Sequence, residues 1–325
     1  MSERTGVLFA LRDDPSLVVR AEELGYESAW AAEGQGKTAF GKLERWAVHT
    51  DEIGLATGIV NVFSRTPAAL AAAAATLDDH SDGRAILGLG VAHPGVVEAF
   101  HGVPFDRPLS RLHEYVDLVR RYLRGDADSF DGEFFSPERT SFWDAFEPVR
   151  EEIPIYNGAL GPANVRLTGQ VADGWLPNLY PRPQFEEALG WLDTGTARSG
   201  RDRSDVDVAM YVLTAVHDDP DEARRAAAEH VAYYLRDVPG YYDRAAEQAG
   251  FAGEVEAVRA APTTEAGARE LSADFLDLVA LVGAPDDVRG RLGELREMGV
   301  DLPVVRAPAG VDREWVARTL EVFAP

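Results

Sequence analysis

The sequence predicts an α/β protein, a (β/α)8 TIM barrel with insertions. Short β-rich runs alternate with longer amphipathic runs along all 325 residues, which is the mark of parallel α/β architecture. Strand positions near residues 5, 26, 53, 85, 153, 174, 206 and 277 make eight βα units, and the length suits a barrel, whose range is roughly 200 to over 400 residues. A doubly wound open sheet with an appended domain is the runner-up. The chain is read as one domain spanning 1–325, with insertions near 125–152 and 238–271.

The first strand is 5–10, and a helix opens at Asp14-Pro15 and stops at Gly25. Proline just inside the start and glycine just past the end is the expected capping asymmetry. A second strand, 26–32, leads through a glycine-containing loop to a helix at 40–52. The third strand is 53–63; Pro67 starts an alanine-rich helix that ends at Ser81-Asp82-Gly83, and strand 85–91 follows. Residues 109–123 form a helix, with Leu112, Tyr115, Val116, Val119 and Leu123 at helical spacing.

Residues 125–152 mix aromatics with Gly, Pro and acids and read as an insertion carrying a hairpin. The alternation resumes with strand 153–157, a helix from Pro162, strand 175–178, helix 184–192, strand 206–216 and helix 219–235. An irregular, partly helical insertion at 238–271 precedes strand 276–282, helix 285–298 and a terminal strand, 302–305, with its own helix.

Cysteine is absent, which removes disulfides, thiolate nucleophiles and cysteine-ligated metal sites together. Only Lys37 and Lys42 are lysines among 32 basic residues, set against 55 acidic ones for a net charge of −23. Such a surface repels nucleic acid and anionic lipid, and it suits a salt-rich, halophilic cytoplasm in which screening relieves self-repulsion. The start pairs an acid and a base within four residues ahead of a short apolar stretch, so no signal peptide is expected. No apolar run approaches the roughly 20 residues of a membrane span.

In a barrel the chemistry sits at the C-terminal ends of the strands. The polar groups there are Glu33, Asn61, Arg65, His93, Asn157 and Asn178. Neither lysine falls on a strand end, as a Schiff base would need, and no His-x-His or His-Glu-x-x-His appears, so no metal site is expected. Two glycine loops, Gly88-Leu89-Gly90 and Gly158-Ala159-Leu160-Gly161-Pro162, would let the backbone approach an anion at a helix start. Each is equally a tight βα turn, and neither completes Gly-x-Gly-x-x-Gly, because His93 stands where the third glycine would be.

The runs TGIVNVFSRTPAALAAAAATLDDHSDGRAILGLG, HGVPFDRPLSRLHEYVDLVR, PIYNGALGPANVRLTGQVADGWLPN and VGAPDDVRGRLGELREMGVD, in that order, resemble the luciferase-like superfamily. Within it the chain is most similar to oxidoreductases that use coenzyme F420, a deazaflavin. The resemblance implies a (β/α)8 barrel in which Gly58-Ile59 is a bulge, commonly with a cis peptide, that backs the deazaflavin ring. It places Gly90 and Val91 near the cofactor, Gly158, Ala159, Leu160 and Gly161 around its phosphate and ring, and Asn61 in the ring pocket.

Many relatives follow the acid at position 33 with histidine, whereas Gly34 follows here. Proton delivery therefore falls to Glu33 first, if burial raises its pKa, or to His93. Leu8 stands where the methylene-tetrahydromethanopterin reductase branch has an acid, which argues against that substrate. The resemblance thus implies hydride transfer between F420 and a small organic substrate such as an alcohol, aldehyde, imine or activated alkene. An FMN-dependent monooxygenase with a separate reductase, or a catalytically silent cofactor-binding barrel, would use the same fold. The family habit of pairing through helices beside the early strands makes a homodimer the expected assembly.

Overall fold

The computed structural model describes residues 3–34, 36–126, 128–142, 146–238 and 240–325. Parts of both expected insertions, at 127, 143–145 and 239, lie outside the described residues, as do residues 1, 2 and 35. The strands are β1 (Gly6–Ala10), β2 (Ser28–Ala31), β3 (Gly54–Thr57), β4 (Val60–Asn61), β5 (Ala85–Gly90), β6 (Ile155–Gly158), β7 (Gly174–Trp175), β8 (Asp207–Val208), β9 (Tyr211–Val216), β10 (Ala280–Gly283) and β11 (Val304–Arg306). All pairings are parallel, in the order β10-β9-β11-β1-β2-β3-β5-β6-β7-β8, with β4 beside β5.

The ring closes because β8 and β9 are halves of one run with different neighbours. The N–H of Ala209 donates to Trp175 (2.8 Å) and that of Tyr211 to Pro177 (2.9 Å), while Val304 donates to Met210 (2.8 Å) on the other side. Side chains alternate across the wall as strand geometry requires. Leu8, Trp30, Ala56, Tyr156, Tyr211 and Val304 pack inside the ring, whereas Val7, Phe9, Ala29, Ala31 and Leu55 face the outer helices. Trp30 fills the interior at 0% exposure, its Nε1–H given to Ser28 Oγ (2.9 Å), with Tyr156 and Tyr211 edge-on at 5.4 and 5.9 Å.

Helix starts follow local chemistry. The side chains of Asp14, Thr38 and Thr66 accept the first-turn N–H groups of Ser16, Gly41 and Ala69, and Gly25 ends its helix at φ 87°. Three elements differ from expectation. The single strand expected at 53–63 is split into β3 and β4 around a cis Gly58–Ile59 peptide, and the one at 206–216 breaks between β8 and β9. Residues 276–282 are not the eighth barrel strand. Ala273–Val279 is a helix capped by Ser272, which accepts from Phe275 N–H (3.1 Å), and β10 sits beside β9 outside the ring. The eighth position belongs to β11, near the expected terminal strand 302–305.

The two insertions behave differently. In the first, a turn is closed by Phe130 N–H to Pro137 O and Gly132 N–H to Phe135 O (both 3.0 Å), with no strand assigned among the described residues. It is pinned to the helix Pro108–Arg124 by the Glu114 carboxylate, which accepts the N–H groups of Glu133, Phe134 and Phe135. The second contributes helices Tyr242–Ala246, Ala252–Ala260 and Thr264–Ala268, several of whose apolar side chains share a core with the helix Pro220–Asp237. Among the described residues no helix is long and apolar enough to cross a membrane.

Candidate active site

A cavity of ≈ 1080 Å³ opens over the C-terminal ends of the strands. Glu33, Gly58, Ile59, Gly90, Val91, His93, Gly158, Ala159, Leu160 and Gly161 all line it, although they come from the ends of β5 and β6 and from the segments that follow β2, β3, β5 and β6. Among the described residues of the two insertions, those that line it are Val238, Tyr241 and Tyr242 of the second. The expectation that Asn61 lines the ring pocket is corrected. This residue stands outside the lining, and its Oδ1 accepts the N–H groups of Phe63 (3.0 Å) and Ser64 (2.8 Å), holding the turn after β4.

The glycines are demanded by close approach. A Cβ on Gly58 would lie 2.0 Å from the Tyr211 hydroxyl, and one on Gly88 would lie 2.0 Å from the Thr57 carbonyl oxygen. Thr57 Oγ1 donates to Gly88 O (2.8 Å) across the same contact, so β3 and β5 are drawn together just below the cavity. Gly161 meets a different condition: nothing lies within 4 Å of its missing Cβ. It is the N-cap of helix Pro162–Val171, with no side chain capping the first turn. The first-turn N–H groups are therefore left for an anion.

The loop before that helix is held from behind. Trp175, buried and stacked on Phe185 at 5.5 Å, donates its Nε1–H to Ala159 O (2.9 Å). Asn157, a candidate polar group, is buried in a structural role: its Nδ2 donates to Asn164 Oδ1 (2.9 Å) and Thr168 Oγ1 (2.8 Å). Lys42 is also structural. Its Nζ donates to the carbonyls of Ala10 (2.8 Å) and Ala32, tying the ends of β1 and β2, and burial lowers its pKa to about 8.

Glu33 does not stand free as an acid. One carboxylate oxygen accepts from Arg65 Nη1 and the other from Arg65 Nη2 (2.9 Å) and the Ala39 N–H (3.0 Å). Every one of these partners is a donor, so both carboxylate oxygens are spent as acceptors in a structural pair with Arg65 and the start of the next helix. His93 begins helix Pro94–Val97 with no capping bond from its ring, and desolvation lowers its pKa. It enters the cavity wall as a neutral imidazole near pH 7.

Reading the sequence overlooked a second polar group on this wall. Arg306 ends β11, Tyr211 opens β9, and His230 and Tyr234 project from helix Pro220–Asp237. Arg306 Nη1 donates to Tyr234 Oη (3.3 Å) and, at 3.5 Å, to Asn178 Oδ1, whose amide in turn donates to Tyr242 Oη (3.0 Å). His230 Nδ1 accepts from the Ala309 N–H (2.9 Å), so the neutral ring carries its proton on Nε2, and that atom has no partner. The signal that would have exposed Arg306 is its place just past the strand at 302–305, had that run been taken as a barrel strand.

Burial, assisted by the positive charge of Arg306, holds the His230 pKa well below its ordinary value. The unfolded chain then binds a proton near pH 6.5 that the folded chain refuses, so stability is complete above that pH and falls below it. His230→Asn, which keeps an acceptor at the δ position, is expected to flatten this loss by up to about 1.4 kcal/mol per pH unit below 6.5. Urea unfolding at pH 5 and 7.5 checks it. Parallel curves for the two proteins would contradict the assignment.

With this geometry in view, similarity to known proteins is informative. A family model described as luciferase-like monooxygenase matches residues 2–302. A Mycobacterium tuberculosis protein, named provisionally as a coenzyme F420-dependent oxidoreductase, is 33% identical over 318 residues, covering 90% of this chain and 89% of the relative. The 5,10-methylenetetrahydromethanopterin reductase of Archaeoglobus fulgidus is 31% identical over 303 residues, with 90% and 89% covered. Among solved structures, the coenzyme F420-dependent tetrahydromethanopterin reductase of Methanopyrus kandleri superposes with a TM-score of 0.84 at 26% identity, covering 100% of this chain and 98% of that one. The family match spans all eight barrel strands but the last, and the relatives extend over nine-tenths of the chain: this protein belongs to the luciferase-like monooxygenase family.

Proposed function

We propose that the protein is a coenzyme F420-dependent oxidoreductase that transfers a hydride between the deazaflavin and a small organic substrate, an alcohol or aldehyde, an imine or an activated alkene. The observation that carries this reading is the cradle at the cavity wall: Gly90, Gly158 and Gly161 without side chains, beside an uncapped helix start suited to a phosphate. The cofactor names carried by relatives at 33% and 31% identity support it. Bound F420 would supply a ring carbon that donates or accepts a hydride. The chain's part is to hold and orient the cofactor. Gly58-Ile59 and Val91 form an apolar floor, and the loop 158–161 anchors the phosphate. His93, neutral and on the wall, moves the proton at the substrate's heteroatom or, for an activated alkene, at the carbon next to the activating group.

Coenzyme F420 titrated into the purified protein in high salt is expected to bind at least about tenfold more tightly than FMN, a margin of about 1.4 kcal/mol. Preference for FMN would overturn the assignment and favour oxygen chemistry. Glu33→Gln is expected to lower stability by about 1–2 kcal/mol, because Arg65 loses its charged partner, yet to leave the pH profile of kcat in place. A hundredfold or greater fall in kcat would restore Glu33 as the acid.

The same reading includes a homodimer adapted to high salt. Ala69, Ala72 and Thr76 leave a small-residue face exposed on helix Pro67–His80, which packs against the helix Ala39–Ala47. A monomeric mass by light scattering in concentrated KCl would remove the dimer from the proposal.

A further inference from the structure

The cavity wall carries a buried cation with no anion. Arg306 is 7% exposed, it makes no salt bridge among the described residues, and its Nε has no hydrogen-bond partner. Its contacts are neutral: the Tyr234 hydroxyl, the Asn178 amide oxygen, and the Tyr234 ring beneath the guanidinium at 5.9 Å. Two more polar atoms beside it are buried and unpartnered, His230 Nε2 and Tyr211 Oη. The single acidic side chain among the described residues lining the cavity is Glu33, and Arg65 already occupies it.

A fold gains nothing from such an arrangement. An unpaired buried charge is costly, and orphaned donors add their own desolvation penalty. Three donor atoms without an acceptor among the described residues, Arg306 Nε, His230 Nε2 and Tyr211 Oη, are brought together from β11, the helix Pro220–Asp237 and β9, a set of donors awaiting oxygen atoms. The guanidinium fork fits a carboxylate in two parallel bonds, His230 adds an N–H and Tyr211 an O–H. Asn178 is locked with its oxygen toward Arg306 because its Nδ2 is spent on Tyr242, which orients the fork before any ligand arrives. The glycine loop that suits the cofactor's phosphate follows β6, three strands away around the ring, so two separate anion sites are available.

We infer that the substrate carries a carboxylate, and that Arg306, with His230 and Tyr211, binds it in the cavity. This rests on the oxidoreductase reading, since it names the substrate class of that same site. The oxyanion fixes the substrate in one orientation while the reacting carbon faces the cofactor.

The test is a calorimetric comparison of acetate with acetamide and benzoate with benzamide at fixed ionic strength, on the apo protein and on the protein loaded with F420. In the wild type at least one acid is expected to bind about tenfold or more tightly than its amide, and to raise the melting temperature. Arg306→Gln should remove that preference while F420 affinity stays within about threefold. Arg306→Met should melt at a higher temperature than the wild type, since the unpaired charge is gone. Acids that bind no better than amides to the wild type overturn the proposal whatever the variants do. A tenfold loss of F420 affinity in Arg306→Gln with the acid preference intact overturns it as well, because the guanidinium would then face the cofactor. If the protein binds no F420 yet still prefers acids, the cofactor assignment fails and the carboxylate site stands.

Discussion

Gly161→Asp is expected to leave the fold slightly more stable and to weaken coenzyme F420 binding about a hundredfold, or about 2.7 kcal/mol. The two effects have one cause. Gly161 is an N-cap with extended backbone, φ −91° and ψ 158°, and with open space where a side chain would go. Aspartate adopts that conformation without strain and accepts the first-turn N–H groups that glycine leaves free, a gain of a few tenths of a kcal/mol over glycine. The same carboxylate then occupies the anion position with a negative charge. A phosphate arriving there meets both a filled site and like-charge repulsion. Gly161→Asn provides the control: it caps equally well with no charge, so it should lose less affinity. Thermal melts and F420 titrations of the three proteins decide the matter. Unchanged F420 affinity in the aspartate variant would mean that the phosphate binds elsewhere and that the loop 158–161 is only a turn.

What could be read from the sequence divides along the distance between cause and effect in the chain. Asp14-Pro15 and Gly25 delimit their helix by contacts within a few residues, so their pattern is self-sufficient. The loop 158–161 is similar: glycines before Pro162 announce a helix start that has no capping side chain. Residues 53–63 misled because an unbroken apolar run has the same appearance whether or not it is interrupted. The break at Gly58–Ile59 lies against Tyr211, more than 150 positions later. Glu33 gave no local hint of its fate, since Arg65 reaches it from the far side of β3 and β4. The stretch 276–282 satisfies both strand and helix periods, and Ser272 tips its first half into a helix. The eighth barrel position therefore falls to β11 instead, and Arg306 gains its place at the cavity from a strand end that the local pattern of 276–282 does not announce.

The contact between Gly58 and Tyr211 provides the second large effect, and a double-mutant cycle isolates it. Gly58→Ala puts a methyl group 2.0 Å from the Tyr211 hydroxyl and 3.4 Å from Trp30 Cβ. Tyr211 cannot swing aside, since it is buried with its ring edge-on to Trp30 at 5.9 Å, so the bulge itself must shift. Overpacking of this kind costs about 1–3 kcal/mol, and a displaced floor should weaken F420 binding by about tenfold or more. Tyr211→Phe removes a hydroxyl that has no partner, so its own effect on stability should be near zero or favourable. With the hydroxyl gone, the nearest atom to the new methyl is the ring carbon Cζ at 3.2 Å, a tight contact that a small shift relieves. The double variant should therefore recover most of the stability lost by Gly58→Ala, with a coupling of about 1–2 kcal/mol between the two sites. Additivity within about 0.5 kcal/mol in urea unfolding would show that the hydroxyl does not press on the bulge. Because Tyr211 also belongs to the donor set around Arg306, the phenylalanine variant should bind carboxylates more weakly even where its stability is intact. A loss in acid binding without a loss in stability would tie the floor of the ring pocket and the oxyanion site to one side chain.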